Sequence, residues 1–95
     1  MNQTMLEDLA EIKEYIEKES SYYANKTVAD VYKKIENLKL FPSMGRCVPE
    51  FNSNEIRELN YKSYRIFYTF NSKNIYILRV IHHSRNISKL ESKIL

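Results

Sequence analysis

The fold of this chain is decided by residues 63–82, which read SYRIFYTFNSKNIYILRVIH. Apolar and aromatic side chains alternate over residues 63–70 and dominate residues 75–82, and a period of two is typical of β-strands. The four polar residues between these segments, 71–74, are typical of a tight turn. We therefore predict two antiparallel strands joined as a hairpin, of which the second is the more apolar.

The alternation also predicts which side chains share a face, because successive side chains of a strand point to opposite sides of the sheet. The predicted core face consists of Tyr64, Ile66, Tyr68, Phe70, Tyr76, Leu78, Val80 and His82. The same parity predicts that Arg65 and Arg79 lie together on the other, open face of the sheet.

Two helices are predicted ahead of the hairpin, because apolar residues recur there at helical spacing. They are Leu6, Leu9, Ile12 and Ile16 in the first helix and Val28, Val31, Tyr32, Ile35 and Leu38 in the second. Thr4 and Glu7 have the spacing of a capping box, and the pair Ser20-Ser21 can end the first helix and cap the second. Pro42 stops the second helix, since the residue before a proline is pushed out of helical geometry.

Two shorter extended segments, over residues 46–51 and 55–61, complete the predicted sheet, and Pro49 indicates a sheet edge. The expected fold class is α+β, with a helical hairpin over about residues 5–41 packed on one face of a three- to four-stranded antiparallel sheet over about residues 46–83. A chain of 95 residues is long enough for one domain, here residues 1–95, with one modest core.

Charge is distributed unevenly along the chain. Residues 1–20 carry six acidic and two basic side chains, whereas residues 61–90 carry six Lys or Arg and no Asp or Glu. Because like charges on neighbouring strands repel, this segment indicates a negatively charged partner, either a nucleic acid or an acidic protein. The basic residues predicted to contact that partner are Arg46, Lys62, Arg65, Arg79, Arg85 and Lys89.

Several classes of protein and site are disfavoured by the sequence. Cys47 is the only cysteine and cannot form a disulfide within the chain. No signal-peptide pattern is visible, and no apolar run approaches the roughly 20 residues of a membrane span, so we expect a cytoplasmic protein without membrane contact. His82 and His83 point to opposite sides of a strand and have no cysteine or aspartate cluster beside them, so neither a metal site nor a cofactor is predicted.

The order of these segments resembles the RelE/ParE toxin superfamily, the toxic halves of bacterial toxin–antitoxin pairs. The resemblance covers nearly the whole chain and rests on FPSMGR at 41–46, VPE at 48–50, IREL at 56–59, YRIFY at 64–68 and ILRVIHHSR at 77–85. Members of this superfamily usually open with a β-strand, for which residues 1–3 leave no room. Either the sequence starts at a downstream methionine, or the sheet is one strand short. In the second case, an exposed edge of that kind favours homodimerisation.

The resemblance implies a growth-inhibiting toxin that a cognate acidic antitoxin neutralises, with two alternatives for its target. ParE-like members poison DNA gyrase, which requires an interface but no catalysis. RelE-like members are mRNA endonucleases that act in the ribosome, where a base, a phosphate-binding cation and an acid are needed. The wording of the quoted segments and the lack of tyrosine in residues 86–95 favour the ParE-like branch. A third alternative is a degenerate, non-toxic module that only binds its partner.

For the nuclease alternative, the resemblance implies four catalytic candidates. Arg65 corresponds to the strand arginine that holds phosphate, and Glu50 to a carboxylate that some members use as a base. His82 and Arg85 correspond to the C-terminal His-x-x-Arg region. Each candidate also has a structural interpretation: Arg65 as a solvated strand arginine, Glu50 as the partner of a neighbouring arginine, and His82 as a hydrogen-bonded histidine at the core edge.

Overall fold

A computed structural model describes residues 3–51 and 53–87 of the chain. The helices are α1 (Gln3–Glu17) and α2 (Ser21–Leu38), and a short 3-10 helix (Pro42–Met44) follows them. The strands are β1 (Arg46–Cys47), β2 (Arg57–Tyr61), β3 (Tyr64–Phe70) and β4 (Ile75–His82). The four strands pair antiparallel in chain order, so β1 and β4 form the edges of the described sheet. The predicted α+β fold is confirmed.

Of the two predicted helix caps, one is confirmed and the other is wrong. Ser20 precedes α2 with extended backbone, and its Oγ accepts a hydrogen bond of 3.1 Å from the Tyr23 amide, as an N-cap does. Thr4 instead lies inside α1, and the Glu7 carboxylate accepts a hydrogen bond from the Gln3 side chain. The predicted capping box is therefore wrong, because an N-cap residue lies outside the helical backbone that its side chain caps.

A β-bulge in β4 changes the predicted faces of the sheet. Phe67 pairs with Arg79, but the next residue of β3, Tyr68, pairs with Ile77, so Leu78 is an extra residue without a partner across the ladder. A bulge breaks the strict alternation of side chains at the point where it occurs. The period-two assignment that was correct for β3 is therefore shifted over the first half of β4.

The consequence is visible in burial. Ile77 lies in the core beneath the helices, whereas Tyr76, a predicted core residue, is 46% exposed. Leu78, which the bulge also moves from its predicted face, packs against a cluster on the opposite face. Beyond the bulge, Val80 lies in the core as predicted, whereas His82, another predicted core residue, is exposed.

Both faces of the sheet are covered, which corrects the prediction of one open face. The cluster on the helix side consists of Met5, Leu9, Val31, Ile35, Leu38, Tyr61, Ile66, Tyr68, Ile77 and Val80. A second cluster on the other face consists of Val48, Phe51, Ile56, Phe67, Ile81 and Ile87. The second cluster is closed by the β1–β2 connection and by the segment after β4. Arg65 therefore emerges at the margin of a packed surface, where water has limited access.

In the described part of the chain, none of the helices has the length and apolar character that crossing a membrane requires.

Candidate functional site

Arg65 is the centre of a chain of ion pairs on the face of the sheet that lies away from the helices. Its side chain is only 9% exposed. Nη1 and Nη2 donate to the two carboxylate oxygens of Glu50 at 2.7 and 2.8 Å, and Nη2 also donates to Glu58. Parallel hydrogen bonds of this kind between a guanidinium and a carboxylate are among the stronger polar contacts in proteins. Arg65 is therefore not the solvated strand arginine of the structural interpretation.

Glu58 links the ion pairs to one another, because it binds both Arg46 and Arg65. Its side chain is fully buried, and its second oxygen accepts hydrogen bonds from Nε and Nη2 of Arg46 at 3.1 and 2.9 Å. A buried carboxylate is tolerated only when its charge and its lone pairs are satisfied, and here two arginines satisfy them. Glu58 was missing from the predicted site. Its signal in the sequence is a glutamate inside a predicted strand, beside Arg57 and near other arginines in the sequence.

The β2–β3 hairpin explains why these side chains meet. The two strands are joined by the two-residue turn Lys62-Ser63, and this turn sets a register in which Glu58 lies opposite Phe67. Arg65 is two residues from Phe67 on the same face, which makes it a diagonal neighbour of Glu58. The Arg65 guanidinium also lies 5.2 Å from the centre of the Phe67 ring, close enough for a cation–π interaction.

The ion pairs change the acid–base properties of the two outer groups. Hydrogen bonds from Arg65 hold the pKa of Glu50 below its usual value of 4.5, and the bonds to Glu50 raise the pKa of Arg65 above its usual value. Glu50 is therefore a carboxylate at neutral pH. A general base works best when its pKa lies near the working pH, so Glu50 in this arrangement is a weak base.

A shallow pocket of about 410 Å³, which we call the Arg65 pocket, opens beside the ion pairs. It is lined by Arg46, Pro49, Glu50, Glu58, Asn60, Lys62, Arg65 and His83. Lys62 occupies the first central position of the β2–β3 turn with φ of 50°, a conformation that favours glycine. The ring of His83 is fixed by its Nδ1, which donates to the Ser63 carbonyl at 3.1 Å.

His82 and Arg85 lie elsewhere. Both line a second pocket, of about 370 Å³, between α1 and the end of β4, together with Tyr15 and Tyr64. The His82 ring meets Tyr64 edge-on at 5.4 Å, and its Nδ1 accepts a hydrogen bond from the Ser84 amide. We call this cavity the α1–β4 pocket.

The four predicted catalytic residues are therefore divided between two pockets. Glu50 and Arg65 line the first, while His82 and Arg85 line the second. Arg65 pairs with Ile81 across the ladder, and the alternation of side chains then brings His83 rather than His82 to the Arg65 side. That parity was the signal in the sequence that could have identified His83.

Arg79 pairs with Phe67 across the ladder and so starts from the same face as Arg65, as predicted, but its guanidinium does not join Arg65. Its Nε and Nη2 donate to the two oxygens of Asp8 in α1 at 2.8 and 3.0 Å. The Val80 amide donates to the same carboxylate at 3.0 Å. Because β4 is an edge strand of the described sheet, its arginine and this amide can both be reached by one carboxylate of α1.

The other residues predicted to contact the negatively charged partner are exposed wherever the structure describes them. Arg46 is 63% exposed beyond its ion pair with Glu58, and Lys62 and Arg85 are exposed. Lys89 lies outside the described residues. Among residues 3–51 and 53–87, no group of three or more His, Cys, Asp or Glu side chains has an arrangement that could hold a metal ion.

Comparison with known proteins gives two findings. The family model described as the ParE toxin of type II toxin–antitoxin system, parDE, matches residues 1–87. The solved structure described as the chromosomal ParDE TA system from P. aeruginosa has a TM-score of 0.70 and 21% sequence identity, and the match covers 85% of this chain and 89% of that chain. At this identity, the structural likeness shows the fold alone. No curated protein gives a significant match.

Proposed function

We propose that this chain, which belongs to the ParE toxin family of type II toxin–antitoxin systems, inhibits bacterial growth by binding DNA gyrase. The toxin role is supported by the family match over residues 1–87 of 95. Gyrase as the target is the finer part of the proposal. This part depends on whether the protein acts through a binding interface or through a catalytic site. The geometry of the two pockets bears on that question.

The main observation in favour of gyrase is that the four catalytic candidates lie in two different pockets. Acid–base cleavage of a phosphodiester needs its base, its acid and its phosphate-binding cation within hydrogen-bond reach of one substrate. Here Glu50 and Arg65 bind each other in one pocket, and His82 lies in the other. A protein that acts through its surface requires no such constellation, which favours gyrase binding over mRNA cleavage.

An acidic antitoxin is the second partner in the proposal. Lys62, Lys73 and Arg85 are exposed and form no ion pair among the described residues. Exposed cations attract an acidic segment through interactions that salt screens. We expect the affinity for the antitoxin to fall as ionic strength rises, and an affinity that is flat across the salt range would contradict this part of the proposal.

The mRNA endonuclease remains the second candidate, because one specific observation favours it. His83 lines the Arg65 pocket together with Glu50 and Arg65, so a histidine, a carboxylate and an arginine do share one cavity. A histidine is the side chain that most readily exchanges a proton near neutral pH. In this version of the mechanism, His83 takes the role that the sequence assigned to His82.

Pulse-labelling after induced expression in bacteria distinguishes the candidates. Early loss of DNA synthesis is the expected result and leads to supercoiling assays with purified gyrase. Early loss of protein synthesis would contradict gyrase binding and favour the nuclease, with His83→Gln as the diagnostic variant and His82→Gln as its matched control. Unchanged growth would favour the degenerate module that only binds its partner.

A further inference from the structure

Arg65 binds two carboxylates that differ in how firmly they are held. Glu58 belongs to β2 and is fully buried, with both of its oxygens occupied by arginines. Glu50 belongs to the connection between β1 and β2, its side chain is 39% exposed, and its carboxylate is held by Arg65. Glu58 is therefore a fixed part of the fold, whereas Glu50 can leave Arg65 at much lower cost.

The pocket around Glu50 has the composition of a carboxylate site. Arg46, Lys62 and Arg65 bring three cations to a lining that contains only two carboxylates. Without Glu50, the two terminal nitrogens of Arg65 that now bind it would point into the pocket. A planar guanidinium recognises a carboxylate through two parallel hydrogen bonds, and Glu50 makes that pair of bonds in this structure.

We infer that Glu50 occupies the binding site of an acidic side chain from a protein partner, and that this side chain binds Arg65 in exchange for Glu50. The inference rests on the proposed function, since the acidic partner is the antitoxin expected there. Exchange is favoured over addition because a third carboxylate in the same pocket would be repelled by the two already present. Lys62, whose ammonium lies over the Tyr61 ring at 5.5 Å, is positioned to contact the incoming chain.

The test uses the purified full chain and a fluorescent hexaglutamate peptide with blocked ends, with binding followed by anisotropy at low salt. Glu50→Gln removes the internal competitor. Because a site that is open in a small fraction of molecules binds correspondingly more weakly, we expect the variant to bind the peptide about tenfold more tightly than the wild type. Glu36→Gln is the matched control, since it removes an exposed carboxylate that pairs with Lys39 at the C-terminal end of α2.

A second pair of variants locates the binding. Lys62→Gln is expected to weaken hexaglutamate binding about fivefold, whereas Lys33→Gln, which removes an exposed charge on α2, is expected to change it less than about twofold. Circular dichroism and thermal melting verify that all four variants are folded.

Equal affinities for Glu50→Gln and Glu36→Gln would overturn the inference, and so would equal losses in the two lysine variants. An equal gain for a labelled hexathymidylate would assign the pocket to nucleic-acid phosphates and would also overturn it. None of these outcomes touches growth inhibition, which is measured in cells with the wild type. Failure of the inference is therefore distinguishable from failure of the proposed function.

Discussion

At the scale of single residues, the most constrained position is the chain's only glycine. The Gly45 amide donates to the Tyr68 hydroxyl at 2.8 Å, and the Gly45 carbonyl accepts from Arg57 at 2.8 Å. A β-carbon at Gly45 would lie 2.5 Å from both the Glu58 carbonyl oxygen and the Tyr68 hydroxyl. Glycine is required here by close approach to β2 and β3, and its φ of −75° is one that any residue adopts.

Gly45→Ala is therefore expected to destabilise the fold by about 1–3 kcal/mol, the range seen when extra atoms are forced into a packed site. Urea unfolding measures the change. Ser43→Ala, at an exposed position of the same segment, is the control and is expected to stay within about 0.5 kcal/mol of the wild type. A Gly45→Ala protein as stable as this control would refute the steric argument.

Arg65→Ala is expected to destabilise the fold, so a loss of toxicity in this variant would not by itself show a functional role for Arg65. The substitution leaves the buried Glu58 with Arg46 as its one remaining arginine partner, and breaking a buried pair costs about 3–5 kcal/mol. Arg65→Met combined with Glu58→Gln is expected to recover more than half of that loss, because no uncompensated charge stays buried. Thermal unfolding measures both variants, and a double variant no more stable than Arg65→Ala would contradict the explanation. Toxicity is therefore better compared in the double variant.

Tyr61 gives a pH-dependent prediction. Its hydroxyl donates to Asp30 at 2.6 Å, and burial together with this hydrogen bond raises its pKa from 10.0 to about 12. A raised pKa means that the protonated form stabilises the fold below pH 10, and that this contribution disappears as the pH rises towards 12. Tyr61→Phe is expected to cost about 1–2 kcal/mol at pH 7. The difference from the wild type should vanish near pH 12, and a constant difference would contradict the prediction.

At the scale of elements, α1 is fastened to β4 by one carboxylate. Asp8 binds the Arg79 guanidinium and the Val80 amide, and both partners are largely shielded from water. The boundaries of β4 followed correctly from its composition, but the bulge did not. The apolar run over residues 75–82 continues without a glycine or other break, so its sequence gives no local sign of an extra residue.

Asp8→Ala is expected to destabilise the protein by about 3 kcal/mol, because it leaves a partly buried guanidinium and a backbone amide without their partner. Hydrogen exchange adds a local measurement, since the Val80 amide is expected to exchange faster relative to Ile66, a buried residue of the neighbouring strand. Glu7→Ala on the exposed side of α1 is the control. Unchanged exchange at Val80 in Asp8→Ala would show that the contact does not protect the amide.

At the scale of the whole molecule, folding neutralises part of the charge asymmetry that the sequence displays. Of the five cations in residues 61–87, which the structure describes, two form ion pairs: Arg65 with Glu50 and Glu58, and Arg79 with Asp8. The surface offered to an acidic partner is therefore smaller than the composition indicates. It is formed by the exposed cations Lys62, Lys73 and Arg85, with Arg46 at the margin of the Arg65 pocket.

The homodimer expected from an exposed sheet edge stays a prediction, and the structure indicates where it would form. β1 has two residues, whereas β4 has eight, so β4 is the edge that offers a longer pairing surface. Asp8 already occupies the Val80 amide on that edge, and pairing there would compete with α1. Sedimentation velocity over a wide concentration range measures association, and a monomer throughout would contradict the prediction.

The sequence by itself determined the helical hairpin, the β3–β4 hairpin and the α+β class, because periodicity and turn residues act over a few neighbouring positions. Tertiary structure decided which face each β4 side chain takes, which histidine joins Arg65, and that Glu58 is buried between arginines. These features depend on strand register and on partners far apart in the chain, as in the Asp8–Arg79 pair, whose members lie 71 positions apart. A period of two is the same in either register, so only the pairing of whole strands selects one.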